Sequence, residues 1–501
     1  MSFHDTTADT HQYPKTLRWW DGWVISLSIP AILFVLIGSA VGSLGAWTAA
    51  ALLGIVAVAG CLQNYIYSEL AGMFKDKVGG ISMYAHQGWR TRLSVVGPLA
   101  TYGYWFAWSS ALSVYGIQIG ALVKAQWFEG QTWTVHIGWV DFGFEHAVAL
   151  GVLLITWGAN VLGMRLAMWV MYVAGALTLI PVMIFALAPL LSSDWSLSNL
   201  TWNLSASGFP EWKTALAWMF VLAWSVYGIE AVASFVPEFR DTARDTRIAL
   251  RMAGLFVVAV YLLVPFGIGG LVTQKEAATD PVTIYVGAFE RIVPGGSWMV
   301  SVCVIAGLFM IMLATTADGG RALHGSAISG LSVKQMTKLN RFGAPGVAMS
   351  LDMVVNALLI VFVGSSLAVI VAGVTGYLLA HILALTGFLL LRRDFPDVTR
   401  PIKLGRKWTW IAVVLATFDI ALLVVGTVST GITGYGSIVD ALIGFAILGT
   451  SLVLFYFRRV HQDKQKWVWR VPRSAVLAEL AYSPVLQDTA NPAGTPEPAA
   501  S

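Results

Sequence analysis

Two short stretches of this chain place chemically capable groups where an apolar helix should carry none. The first is Trp23-Val-Ile-Ser-Leu-Ser-Ile-Pro-Ala-Ile-Leu-Phe34. Pro30 removes one backbone donor and clashes with the carbonyl four residues back. Ser26 and Ser28 lie within a turn and can satisfy what it frees. The second is Trp224-Ser-Val-Tyr-Gly-Ile-Glu230. Glycine weakens a helix by about 1 kcal/mol relative to alanine, and a carboxylate at a bilayer centre costs at least about 2.5–3.5 kcal/mol. Two such faults side by side predict a helix that is broken for a purpose. At a break, half-helix N-termini offer unpaired amides to an anion, and the facing carbonyl ends attract a cation. The candidate binding residues are therefore Ser28, Ile29, Pro30, Ala31 and Ile32 at the first break, and Trp224, Ser225, Tyr227 and Gly228 at the second. Trp105 joins them as an aromatic wall able to stack on a ligand or meet a cation through its ring face.

Few other ionisable groups fall inside apolar runs. Glu230 reads either as a proton carrier or as a brace hydrogen-bonded to unwound backbone. His381 titrates near neutral pH when unperturbed, and a satisfied packing histidine is the competing reading. Asp318 lies three residues before Arg321, which predicts an i,i+3 pair at a helix end; it is the third choice for a proton carrier. Asp419 is expected to make a dimer contact or a helix-packing hydrogen bond. Cys61 and Cys303 read as small buried hydrophobes. The chain has no Gly-rich phosphate loop, no metal-spaced Cys/His cluster and no nucleophile–base pair. No cofactor, metal site, catalytic residue or enzymatic activity is expected.

The elements that must position these groups are long and apolar. Of 501 residues, 57% are hydrophobic and 12% charged, with a mean hydropathy of +0.71. That lies outside the range of soluble domains. A membrane span needs about 20 apolar residues. Twelve candidates lie near 22–42, 47–72, 95–126, 147–163, 168–192, 213–236, 251–273, 297–320, 347–364, 366–391, 408–430 and 436–457. A tight hairpin is expected around Gly364-Ser365-Ser366. Loop charges orient the chain. With a cytoplasmic N-terminus, only Lys124, Lys213, Lys275 and Arg291 fall outside. Both termini are therefore expected in the cytoplasm, as an even span count requires, and no cleaved signal peptide is read at the N-terminus. The net charge of +4 forms no groove-reading basic patch, so no nucleic-acid partner is expected. After Arg473 the composition turns to Ala, Pro, Thr and Ser (Asp488 to Ser501), which predicts a disordered end to the tail. The basic, Trp-containing stretch Lys464 to Arg473 suits an anionic membrane surface.

The first and sixth spans each open a set of five. Paired broken helices at corresponding positions point to an inverted repeat with its site at the midplane. The fold class is thus an all-α polytopic membrane protein of about twelve helices, built as five plus five with two more at the C-terminus. Its parts are a tail over 1–21, repeats over 22–192 and 213–391, two further helices over 408–457 and a second tail over 458–501.

Several motifs carry a family likeness. Trp224 to Glu230, followed by Val236-Pro237-Glu238, resembles the sixth helix of the amino acid–polyamine–organocation (APC) superfamily, which unwinds at the substrate. Glu69-Leu70-Ala71 and Gly79-Gly80-Ile81-Ser82-Met83-Tyr84 resemble its second-helix end and first cytoplasmic loop. Arg321 to Gly330, then Leu339 to Pro345, resembles the stretch between helices 8 and 9. The resemblance implies a secondary transporter in the plasma membrane of a prokaryote. It would carry an amino acid or related organic amine by alternating access, driven by protons or exchange. Two features depart from the family. Its first break is usually glycine-rich, with amides that receive a substrate carboxylate, whereas Ile29-Pro30-Ala31-Ile32-Leu33-Phe34 has no glycine and lacks one amide. Some proton-coupled members carry a lysine in helix 5, near Thr178, and this chain has none between Leu166 and Leu191. A polyamine, an ethanolamine-like amine or an inorganic cation is the alternative cargo. A membrane-embedded enzyme and a non-transporting sensor are the readings from other classes. Lipid and a small-molecule substrate are the expected partners, and a homodimer is left open.

Overall fold

The computed structural model describes residues 15–138, 140–205, 208–363, 366–434 and 437–481. The first residues of the N-terminal tail, Gly364 and Ser365 of the expected hairpin, and residues from 482 onward lie outside them. Eleven helices among the described residues are long and apolar enough to cross a membrane. The ninth predicted span is a shorter apolar helix, Gly346–Phe362.

In chain order, α1 comes in two halves, Trp19–Ser26 and Ile29–Leu44. It is followed by α2 (Ala46–Met73), α3 (Val96–Trp127), α4 (Phe144–Val161) and α5 (Met164–Ala186). The split helix α6 runs as Glu211–Val226 and then as a 3₁₀ segment, Ile229–Glu238. Next are α7 (Thr242–Leu271), α8 (Ser297–Ile328), α9 (Gly346–Phe362) and α10 (Ser366–Asp394). The last two are α11 (Lys407–Val428) and α12 (Ile438–Tyr456).

Burial ranks these helices. The most apolar windows of α1 and α6 are 89% and 100% buried inside the protein, against 28% for both α4 and α12. The two broken helices therefore lie at the centre, with α10 (83%) and α3 (78%) close behind, and α4 and α12 lie at the periphery. The closest packing runs between α2 and α7, and between α3 and both α8 and α10.

Two connections were not expected. Strands β1 (Thr134–Ile137) and β2 (Val140–Gly143) pair antiparallel between α3 and α4, with Thr134 opposite Gly143. A further helix, Gly80–Trp89, packs chiefly against α10, α3 and the 3₁₀ segment of α6. Its start needs the Gly79-Gly80 pair: both have positive φ, and a Cβ on Gly80 would lie 2.7 Å from Ser234 Oγ of the 3₁₀ segment. On the same face, Leu17 pairs in parallel with Phe239. Its amide donates to Glu238 O at 3.0 Å, and its carbonyl accepts from Arg240 N at 2.9 Å.

Candidate functional site

The first break is a turn at Leu27 and Ser28. Ser26 Oγ donates to Gly22 O at 3.1 Å and Ser28 Oγ to Ile25 O at 2.6 Å. Pro30 sits in the first turn of the second half, where its missing amide has no intrahelical partner to lose. It does not kink a continuous helix; it starts a new one.

The second break spans Tyr227 and Gly228. Tyr227 is extended, with ψ of 150°, and Gly228 has φ of +130°, a conformation that favours glycine because a side chain there is strained. The Gly228 amide, left without an intrahelical acceptor, donates to Glu230 Oε2 at 2.8 Å.

The two breaks meet. A Cβ on Gly228 would lie 2.9 Å from Ile29 Cδ1 and 3.3 Å from Trp108 Cη2. Tyr261 of α7 directs its hydroxyl at a carbonyl from each break, Ser225 O at 2.5 Å and Ile29 O at 3.1 Å. One phenol thus bridges both interruptions.

Beside this junction is a void of about 10 Å³, walled by Ile32, Trp108, Ala111, Tyr115, Trp224, Tyr227 and Tyr377, with Ala107. That is about the room of one water molecule. Trp224 packs on Tyr115, centroids 5.6 Å apart, and Tyr377 meets Trp108 edge-on at 6.3 Å. A much larger groove, 480 Å³, is lined by Trp169, Val170, Val173 and other apolar residues of α5 and α8. Trp169 and Val173 are among the most exposed hydrophobic side chains. It offers a ligand no orienting polar group, whereas the small void adjoins a dense polar network.

That network is fully buried. Tyr377 donates its hydroxyl to Glu230 Oε1, and His381 Nε2 lies 3.6 Å from the same oxygen. His381 Nδ1 is 2.8 Å from Tyr67 Oη. Tyr227 donates to Asp419 Oδ1 at 2.7 Å, and Gln63 Nε2 reaches Asp419 Oδ2 at 2.9 Å. Tyr104 donates to Asp318 Oδ2 at 2.7 Å.

Further along, Arg321 Nε and Nη2 reach Glu238 at 2.6 and 3.2 Å. Glu69 accepts from Arg392 Nη2 at 2.5 Å and forms an ion pair with Arg400, whose Nε lies 3.2 Å from Oε1. Paired, bidentate geometry is what makes such buried charges tolerable.

Of the residues singled out from the sequence, Ile32, Trp224 and Tyr227 line the void, and Ile29 and Gly228 form the junction. Ser225 contributes its carbonyl; Ser28 and Pro30 shape the first break. Ala31 faces α5 and α8, where a Cβ on Gly307 would lie 2.9 Å from Ala31 Cβ and 2.8 Å from Thr178 Oγ1. Trp105 lies elsewhere: its indole donates to Asp352 Oδ1 at 2.5 Å, and it packs with Tyr102, Leu323 and Met336. Trp108 is the α3 tryptophan at the void. Glu230 and His381 meet; Asp318 is joined to them only through two packed tyrosines, Tyr104 on Asp318 and Tyr377 on Glu230. Asp318 takes the Tyr104 hydroxyl, while the Arg321 guanidinium goes to Glu238, so the anticipated i,i+3 pair is not the main partnership of either.

Sequence reasoning passed over Tyr115, Tyr261, Gln63 and Tyr67 as site residues. For α3 the signal was present: Tyr104, Trp108, Ala111 and Tyr115 recur at i, i+4, i+7 and i+11, the period of one helix face.

A family-wide sequence model described as "Amino acid permease" matches residues 17–471. The chain belongs to the amino acid permease family. That family is part of the APC superfamily, in agreement with the motifs at Glu69, Gly79 and Trp224. A comparison with curated proteins finds no match. Membership of a permease family, with helices of membrane-crossing length, makes this permease a multi-pass membrane protein and a transporter of small molecules.

Proposed function

We propose that this permease is a secondary active transporter that carries an amino acid or a related organic amine by alternating access. The observation that supports it is the meeting of two helix breaks, bridged by Tyr261, beside an aromatic-walled void. α1 and α6 each open a run of five helices, which supports an inverted repeat with the site at its centre. In this reading Ser28 to Ile32 contribute backbone from α1, Trp224 and Tyr227 contribute aromatic faces, and Gly228 keeps the ligand path free of a side chain. Both termini face the cytoplasm of a prokaryotic cell, and the β1–β2 hairpin lies outside.

Glu230 is the leading coupling group, with His381 second and Asp318 third. One proton crossing about 100 mV supplies about 2.3 kcal/mol. That sustains nearly fiftyfold accumulation, since about 1.4 kcal/mol is tenfold. Exchange of one solute for another needs no such group.

A second reading keeps the fold and changes the cargo to an amine without a carboxylate. The glycine-free first break and the ring faces of Trp108, Trp224 and Tyr377 favour a cation over an anion. A thermal-shift screen of the purified protein against amino acids, polyamines and ethanolamine-like amines decides between them, because a ligand that binds the folded state stabilises it by mass action. An amino acid among the strongest stabilisers is expected. Stabilisation by amines alone supports the second reading, and no shift with any of them removes both.

A further inference from the structure

Asp419 lies on α11, outside the ten helices of the proposed repeats, yet it is fully buried against the α6 break. α11 packs on α10, the first half of α6 and α2. The ionisable groups facing Asp419 from those helices are Tyr227 at the end of α6, Tyr67 on α2 and His381 on α10. All three are at most 1% exposed.

The bonds close into a ring. Tyr227 Oη donates to Asp419 Oδ1 at 2.7 Å; Gln63 Nε2 donates to Asp419 Oδ2 at 2.9 Å and to Tyr227 Oη at 3.1 Å. An amide nitrogen has two hydrogens, so both Gln63 bonds can be made at once. Tyr227 is the residue at which the α-helical half of α6 stops. Its ring walls the void and packs on His381 with centroids 4.8 Å apart. Fixing its hydroxyl therefore fixes one wall. On the other side of the break, Glu230 holds the Gly228 amide. Two carboxylates thus grip consecutive residues, one from α6 itself and one from α11.

We propose that Asp419 is a positioning residue that sets the shape of the α6 break through Tyr227 and so makes α11 part of the binding apparatus. The affinity arm of its test rests on the transporter reading above; the exchange arm does not.

The test uses the full-length protein and the variants Asp419→Leu, Asp419→Asn, Tyr227→Phe and the double Asp419→Leu/Tyr227→Phe. Hydrogen–deuterium exchange is followed at the amides of Gly228 to Ala231 without ligand. Affinity is measured for the amino acid or amine that stabilises most in the thermal-shift screen. Asp419→Leu and Tyr227→Phe are each expected to speed exchange at the break and weaken binding about tenfold, the scale of one lost hydrogen bond to a charged group. The double variant should lose no more than either single one, because both remove the same bond. Asp419→Asn keeps an acceptor and should recover most of the affinity. Unchanged exchange in Tyr227→Phe, or full additivity in the double variant, overturns the proposal; the first of these still decides if Asp419→Leu does not fold. Faster exchange with no ligand found in the screen leaves the positioning role standing and removes the transporter reading instead.

Discussion

Glu230 Oε2 lies 2.8 Å from the amide nitrogen of Gly228, two residues earlier in the chain. The segment that breaks α6 thus supplies its own cap, and Tyr377 of α10 holds the other oxygen. A carboxylate so held braces the backbone, and His381 Nε2 lies 3.6 Å from the oxygen that Tyr377 takes.

Glu230→Gln keeps a carbonyl oxygen for the Gly228 amide and removes the charge. In proteoliposomes it should abolish accumulation driven by a pH gradient while leaving solute exchange across the membrane intact. Continued accumulation in the variant would show Glu230 to be a brace and place coupling elsewhere.

Gly228→Leu forces a side chain into a positive-φ backbone and against Ile29 and Trp108. Left-handed geometry alone costs a residue with a Cβ about 1–2 kcal/mol, and binding should fall by more than tenfold. Trp224→Ala removes a ring from the void and should weaken binding by about tenfold, the scale of one lost aromatic contact. Calorimetric titration of both variants checks this. Folded variants with unchanged affinity move the site away from the breaks.

A single cysteine at Gly130, before β1, should react with a membrane-impermeant maleimide in intact cells. One at Arg400, after α10, should react only after lysis. The reverse pattern inverts the orientation drawn from the loop charges.

His86, on the helix Gly80–Trp89, sits against α3 so closely that a Cβ on Gly97 would lie 2.4 Å from its Nδ1. Burial, aided by the positive charge of Arg90, holds its pKa down to about 3 from an ordinary 6.5. Between those values the unfolded chain binds a proton that the folded one refuses. Stability from this group is therefore complete above about pH 6.5 and declines as the pH falls toward 3, by at most about 1.4 kcal/mol per pH unit. His86→Gln should flatten the acid side of a Tm-against-pH curve. A curve parallel to the parent's would show that His86 contributes nothing to it.

The order of helices and both interruptions were legible in the sequence because their causes are local. An apolar run announces a span, and Pro30 or the Gly228–Glu230 pair announces its failure. Rotation of a helix about its axis is not local. Trp105 and Trp108 are three residues apart on α3, and only the neighbours decide which faces the void: Asp352 of α9 takes Trp105, and Tyr377 of α10 meets Trp108. Asp419 illustrates the same limit. A helix-packing hydrogen bond was foreseeable, but its acceptance from Tyr227 depends on α11 lying against α6. Arg321 had a nearby carboxylate in sequence and reached instead to Glu238, 83 positions earlier.

The backbone rung between Leu17 and Phe239 gives the two interrupted helices a common hinge pin. Residues leading into α1 and residues leaving α6 share main-chain bonds that no side-chain substitution can delete. Any displacement of one inner half that keeps these bonds must carry the other with it, like two blades riveted at the handle. Under the alternating-access reading proposed above, the two halves would open on that face together rather than independently.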